Sequence, residues 1–242
     1  MTLTGHLSEL RRRLFWCILV FAALSVVSFI FIQRFVDVAI GLSPDFDFVY
    51  LSPSELVTSY MKLALVLGLV FSSPFILWQI WAFVSPGLTE EEGRSVRAAV
   101  TAGFVFFLIG AVFCFVVILP ITLQFFYNFN GSKDITANIS FGSYMSFILG
   151  MLVAFGAVFE MPVLSFLLAR LGVLDPKLLV KGRKFAVLII FTLAAIITPP
   201  DVVSQIMTAI PMIGLYELSI AVSRAARRRR DAAEEEDGGT EG

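Results

Sequence analysis

The chain alternates between long apolar stretches and short polar ones. An α-helix rises 1.5 Å per residue, so about 20 apolar residues cross a hydrocarbon core of roughly 30 Å. Four stretches reach that length and predict spanning helices over about 14–36, 58–84, 94–119 and 144–169. The first lies between Arg11-Arg12-Arg13 and Gln33-Arg34. It is longer than a signal-peptide core and no small-residue cleavage motif follows it, so it predicts a retained span. The second carries Pro74 inside and ends at Ser85-Pro86-Gly87, while Pro120 is expected to halt the third. Polar stretches over 37–55 and 127–140 read as loops.

Two shorter segments follow, over about 184–198 and 202–222, joined by the turn Thr198-Pro199-Pro200-Asp201. The apolar part of the first, Phe185 to Ile197, reaches only about 20 Å, so it crosses where the bilayer thins or where neighbouring helices shield it. Charge placement tests the count. With the N-terminus in the cytoplasm and six spans, 15 of the 18 lysines and arginines fall on the cytoplasmic side, including Arg94, Arg97, Lys177, Lys181 and the run from Arg227 to Arg230. Five spans would put that last run outside. Trp16, Trp78 and Trp81 all fall near the cytoplasmic interface, where amphipathic rings prefer to lie.

Composition agrees: 58% of the 242 residues are hydrophobic, mean hydropathy is +0.88, and 15% are charged against about 25% in an average soluble domain. The sequence therefore predicts an all-α polytopic membrane protein. It has one six-helix transmembrane domain over 1–222 and a basic-then-acidic tail over 223–242, expected to be cytoplasmic and disordered. Cys17 and Cys114 both lie inside apolar runs, which argues against a disulfide framework. The one histidine, His6, precedes the spans, and no metal-ligand spacing or phosphate-cradling glycine loop occurs. An enzyme, a cofactor, a metal and a nucleic-acid partner are all unexpected.

Three groups of residues stand out. Glu160 lies about 10 residues before Arg170, near mid-bilayer, where an ionised carboxylate is costly unless it meets water, a proton or a partner. Pro162, two residues later, frees the carbonyl of Val158 and predicts a kink beside the acid. A membrane-buried acid suits a proton or ion site, so a small-solute channel or secondary transporter using Glu160 is one reading; a structural hydrogen bond is another. The cytoplasmic acids form the second group. Glu9 is spaced to pair with Arg13, and Thr89-x-x-Glu92 fits a capping box, but carboxylates on a positive face also suit a cationic ligand. Asp201 and Gln205 form the third, with Asp201 placed to cap the last helix.

At these positions the chain resembles the TatC family, the polytopic core subunit of the twin-arginine (Sec-independent) protein translocase. The resemblance runs through His6-Leu7-Ser8-Glu9-Leu10-Arg11-Arg12-Arg13, Trp81-Ala82-Phe83-Val84-Ser85-Pro86-Gly87-Leu88 with Glu92, Phe159-Glu160-Met161-Pro162, Thr198-Pro199-Pro200-Asp201 with Gln205, and Ala209-Ile210-Pro211-Met212. It implies a concave, glove-like bundle of six helices, the last two short, in the cell membrane with both termini cytoplasmic. It implies a receptor for signal peptides with two consecutive arginines, which exports folded proteins on the proton-motive force. Glu9 and Glu92 would bind the arginine pair, with Arg11, Arg13 and Phe83 beside them. Glu160 and Pro162 would form an intramembrane polar site. The outer turn (Thr198, Pro199, Pro200, Asp201, Gln205) would dock single-span TatA- or TatB-like partners. The arginines just inside the last span suit contact with membrane lipid, and further copies of the chain are expected within the complex. Gly93 stands where many members carry a basic residue.

Overall fold

The computed structural model describes residues 3–43, 46–84, 90–128, 138–199 and 201–238, with side chains described except at 3–6, 81, 84, 90–97, 229 and 232–238. Helices dominate: α1 (Leu3–Ile30), α2 (Ile32–Ile40), α3 (Pro53–Val84), α4 (Glu90–Phe113), α5 (Leu119–Asn128), α6 (Phe141–Phe159), α7 (Met161–Arg170), α8 (Pro176–Ile197) and α9 (Val202–Gly238). Two three-residue strands, β1 (Asp47–Val49) and β2 (Asn138–Ser140), pair in parallel, with Phe48 opposite Ile139. The chain falls into two compact units, Met1–Gly87 with Ala111–Ala154, and Leu88–Gly110 with Phe155–Gly242.

Among the described residues, five helical stretches are long and apolar enough to cross a membrane: Leu7–Ile30, Pro53–Ile80, Ala98–Asn128, Phe141–Arg170 and Val202–Arg228. Much of their apolar surface is left open by the chain itself; Phe15, Ile18, Val26 and Ile30 on α1 are all exposed. Such surface is stable only in an apolar medium, which lipid provides. α8 is not among the five. It has 22 residues, but Lys177, Lys181, Arg183 and Lys184 occupy its first half and leave the short apolar run the sequence indicates.

The first unit is built on α1 packed along α3. Gly68 permits the close approach: a Cβ there would lie 2.0 Å from Ser25 Oγ and 2.8 Å from Ser25 Cα. Small residues at such crossings are the usual means by which helices associate in lipid, where apolar burial gives no net drive. Beyond Phe31, where α1 ends, α2 turns Ile32, Val36 and Ala39 inward, so the first predicted span is broken before its expected end. The described parts of the expected loops are likewise more ordered than their polarity suggests. They supply β1 and β2, and Tyr144 on α6 donates to the Ala39 carbonyl at the end of α2 at 2.7 Å.

Pro120 does not stop the third span. The chain widens into a π turn over Cys114–Ile118, with Leu119 N–H bonding to the Cys114 carbonyl, and continues as α5 to Asn128. A straight α-helix would push the proline ring into the carbonyl four residues back, and the wider turn relieves that clash without ending the helix.

In the second unit α7 and α8 both pack on α9. Tyr216 Oη donates to the Leu179 carbonyl at 2.7 Å, and Arg183 pairs with Glu217 at 2.6 Å. The tail expected to be disordered carries α9 on to Gly238. Its alanines, arginines and glutamates are strong helix formers, and Arg227 pairs with Asp231 one turn later at 3.0 Å.

Candidate functional site

On α1, Glu9, Arg12, Arg13 and Trp16 recur at i, i+3, i+4 and i+7 and so share one face. On α3, Phe75, Trp78 and Gln79 do the same. The packing of α1 on α3 turns these faces together, and the seven side chains line a cavity of about 450 Å³. Arg13 bridges it. Its Nε and Nη2 donate to Glu9 Oε1 at 3.0 and 2.6 Å, and its Nη1 donates to Gln79 Oε1 at 3.0 Å. The expected Glu9–Arg13 pair is therefore formed, but it uses one carboxylate oxygen only. Glu9 Oε2 has no partner among the described residues and remains an acceptor at the cavity wall.

Gln79, Phe75 and the direction of Trp78 were not singled out from the sequence. The legible signal was a lone amide in the apolar run from Phe75 to Phe83, one turn from two aromatics. Arg11 is exposed on the same helix and lines no part of the cavity. Phe83 is half-buried near the end of α3. Glu92 falls in the first turn of α4, and its side chain, the expected Thr89 cap and the Trp81 ring lie outside the described residues.

Glu160 occupies the break between α6 and α7. Its N–H bonds to the Ala157 carbonyl, three residues back rather than four, at 3.2 Å, and Pro162 lies near the start of α7. The interruption expected from Pro162 is thus present beside the acid. Glu160 is 8% exposed, and its Oε1 is buried with no hydrogen-bond partner among the described residues. The space it fills exists because residue 103 on α4 has no side chain; a Cβ on Gly103 would come within 2.8 Å of Glu160 Oε2. An unpartnered carboxylate held in a fitted recess costs stability.

The α8–α9 turn is internally satisfied. Asp201 caps α9, accepting from Ser204 N–H at 2.7 Å and from the Ser204 hydroxyl. Thr198 is buried and donates to the Ala194 carbonyl at 2.9 Å; Gln205 Nε2 donates to the Phe191 carbonyl at 3.0 Å. Pro199 is exposed, and Pro200 lies outside the described residues. No group of three or more histidine, cysteine or acidic side chains able to hold a metal occurs among the described residues.

A family model described as Sec-independent protein translocase protein (TatC) matches residues 5–211, most of the chain. The chain belongs to the TatC family. TatC of Carboxydothermus hydrogenoformans is 34% identical over 237 residues, covering 97% of each chain. TatC of Desulforapulum autotrophicum is 38% identical, covering 96% of this chain and 88% of that one. A crystal structure titled as the twin arginine translocase receptor TatC superposes with a TM-score of 0.84 at 34% identity, covering 91% of this chain and 99% of that chain. This TatC-family chain is accordingly a multi-pass helical membrane protein and a component of a protein translocase that works with other Tat subunits, not an enzyme. The small-solute channel or transporter reading is thereby corrected: a buried acid alone does not distinguish a transported ion from a polar site in a translocase.

Proposed function

We propose that this chain is the signal-peptide receptor of its translocase and that the cavity around Glu9 takes a guanidinium of a twin-arginine signal peptide. The observation that carries the reading is Glu9 Oε2, without a partner among the described residues, in a cavity walled by Trp16, Phe75 and Trp78. A carboxylate oxygen offers a charge-assisted hydrogen bond, and the aromatic faces attract a planar cation above them. Arg13 and Gln79 fix the rotamer of Glu9, so little ordering remains to be done on binding. Glu92 supplies the second carboxylate, and Arg11 and Phe83 border the docked peptide. Lysine is a poor substitute because an ammonium lacks the planar fork of donors.

Charge placement along the chain and membership of the TatC family support the remaining parts of the proposal. Six spans, with α8 as the short fifth, put both termini in the cytoplasm of the cell-membrane protein and keep the lysines and arginines inside. The apolar part of the signal peptide passes Glu160 and Pro162. TatA- or TatB-like single-span partners dock at the outer turn formed by Thr198, Pro199, Pro200, Asp201 and Gln205. Folded cargo crosses through the assembly, which contains further copies of this chain and is driven by the proton-motive force.

The test is fluorescence anisotropy of a labelled twin-arginine peptide against the protein in lipid nanodiscs. Glu9→Gln and Glu92→Gln each weaken binding about tenfold or more, and a twin-lysine peptide binds the parent comparably weakly. Unchanged affinity in both variants refutes the recognition role.

A further inference from the structure

A second cavity, of about 510 Å³, opens between the first turns of α8 and the basic end of α9. Lys177 and Lys181 line it from α8, while Arg224, Arg227 and Arg228 line it from α9. These residues recur at i, i+3 and i+4, so each helix presents one cationic face to the same space, an arrangement that is repulsive in itself. Little among the described residues offsets it. Asp175, also on the wall, accepts from Lys177 N–H at 2.9 Å as the cap of α8, and Arg227 pairs with Asp231. Lys177, Lys181, Arg224 and Arg228 have no carboxylate partner among the described residues. The helices cannot separate freely to relieve the repulsion, because Tyr216 and the Arg183–Glu217 pair fasten them. The geometry calls for a bound anion.

The surroundings say which kind. The apolar stretch of α9 suited to lipid ends at Arg228, within the cavity wall, and Pro176 and Val180 add apolar lining. Further along α8, Phe185 and Leu188 are exposed by 71% and 63% and continue an apolar surface away from the cations. A charged head above two hydrocarbon chains matches that layout; a free phosphate uses only half of it. We propose that this cavity is a binding site for the headgroup of an anionic phospholipid, with its acyl chains following the exposed apolar side of α8. Basic pockets between helix ends at a membrane surface are suited to such headgroups. The site is separate from the Glu9 cavity, so the proposal stands whether or not signal peptides bind there.

The test is native mass spectrometry of the full chain in neutral detergent, titrated with phosphatidylglycerol or phosphatidylcholine. The parent retains phosphatidylglycerol in preference to phosphatidylcholine. Lys177→Gln/Lys181→Gln loses affinity for it roughly 30-fold, while Lys177→Arg/Lys181→Arg keeps it. Arg34→Gln, which removes a cation elsewhere, binds as the parent does. Thermal melting in phosphatidylcholine verifies that the glutamine pair folds as the parent does. Equal binding by the glutamine variant, no preference between the two lipids, or displacement by millimolar inorganic phosphate overturns the proposal; the last outcome identifies a simple anion site instead.

Discussion

Glu55 and Glu160 are both glutamates near the start of a helix, and the chain treats them in opposite ways. Glu55, in the first turn of α3, is saturated: Oε1 accepts from the Ser140 hydroxyl and from Gly142 N–H, and Oε2 accepts from Leu51 N–H at 2.7 Å. It gathers the segment before α3, the end of β2 and the start of α6 into one knot. Glu160 is more deeply buried, yet its Oε1 bonds to nothing among the described residues. The first carboxylate is consumed by the fold, and the second is held available at a cost. Glu9 lies between them, with one oxygen engaged by Arg13 and the other without a partner among the described residues. A carboxylate's use is therefore read from how many of its acceptor sites the fold leaves open, not from its depth.

The sharpest way to break this contrast is to remove Glu55. Glu55→Ala strands three donors, and unfolding in detergent is expected to show a loss of roughly 3 kcal/mol or more. An unchanged melting temperature would mean the knot is ornamental. Glu160→Gln should do the reverse: stability stays within about 1 kcal/mol of the parent or rises, because no partner is lost and a group costly to ionise there is removed. The same variant is expected to lower export of a twin-arginine precursor in membrane vesicles. A melting loss as large as that of Glu55→Ala would place Glu160 among the structural residues.

A smaller effect probes the recess. Gly103→Ala brings a Cβ to 2.8 Å from Glu160 Oε2 and is expected to cost about 1 kcal/mol. Combined with Glu160→Ala, which empties the space, the penalty should vanish, a non-additivity measurable in a double-mutant cycle. Additive effects would show that the two residues do not touch in the membrane. Gln79→Leu is expected to matter least for stability, about 0.5 kcal/mol in thermal melts, since Arg13 keeps Glu9. Twin-arginine peptide affinity should still fall about threefold, because Arg13 loses the anchor that Gln79 gives it and the pair with Glu9 is held less rigidly, and anisotropy titration reads that directly.

Much of the helix pattern could be read from hydropathy alone. Spacing foretold the Glu9–Arg13 pair, the break beside Glu160 and the Asp201 cap, because each involves residues within one or two turns. Pro120 misled, since a proline ends a helix only when no wider turn relieves its ring, and the π turn at Cys114–Ile118 depends on the surrounding packing. The order past Val36, in the end of α2 and in β1 and β2, was missed for a related reason: it falls in stretches read as polar loops, and what fixes it is Glu55 and Tyr144 reaching across large sequence separations. Nothing local to Glu55 revealed Ser140 and Gly142 as its partners.

The sequence by itself determined that this chain lives in lipid, where its helices lie and which acids merit attention, because hydrophobic length and short-range spacing are local properties. Only the tertiary structure decided which oxygen of Glu9 is free, that Gln79 holds Arg13, that Gly103 makes room for Glu160, and that two sets of cations share one cavity. Those facts depend on which faces of distant helices meet, and steric fit between side chains dozens of residues apart leaves no periodic trace along the chain.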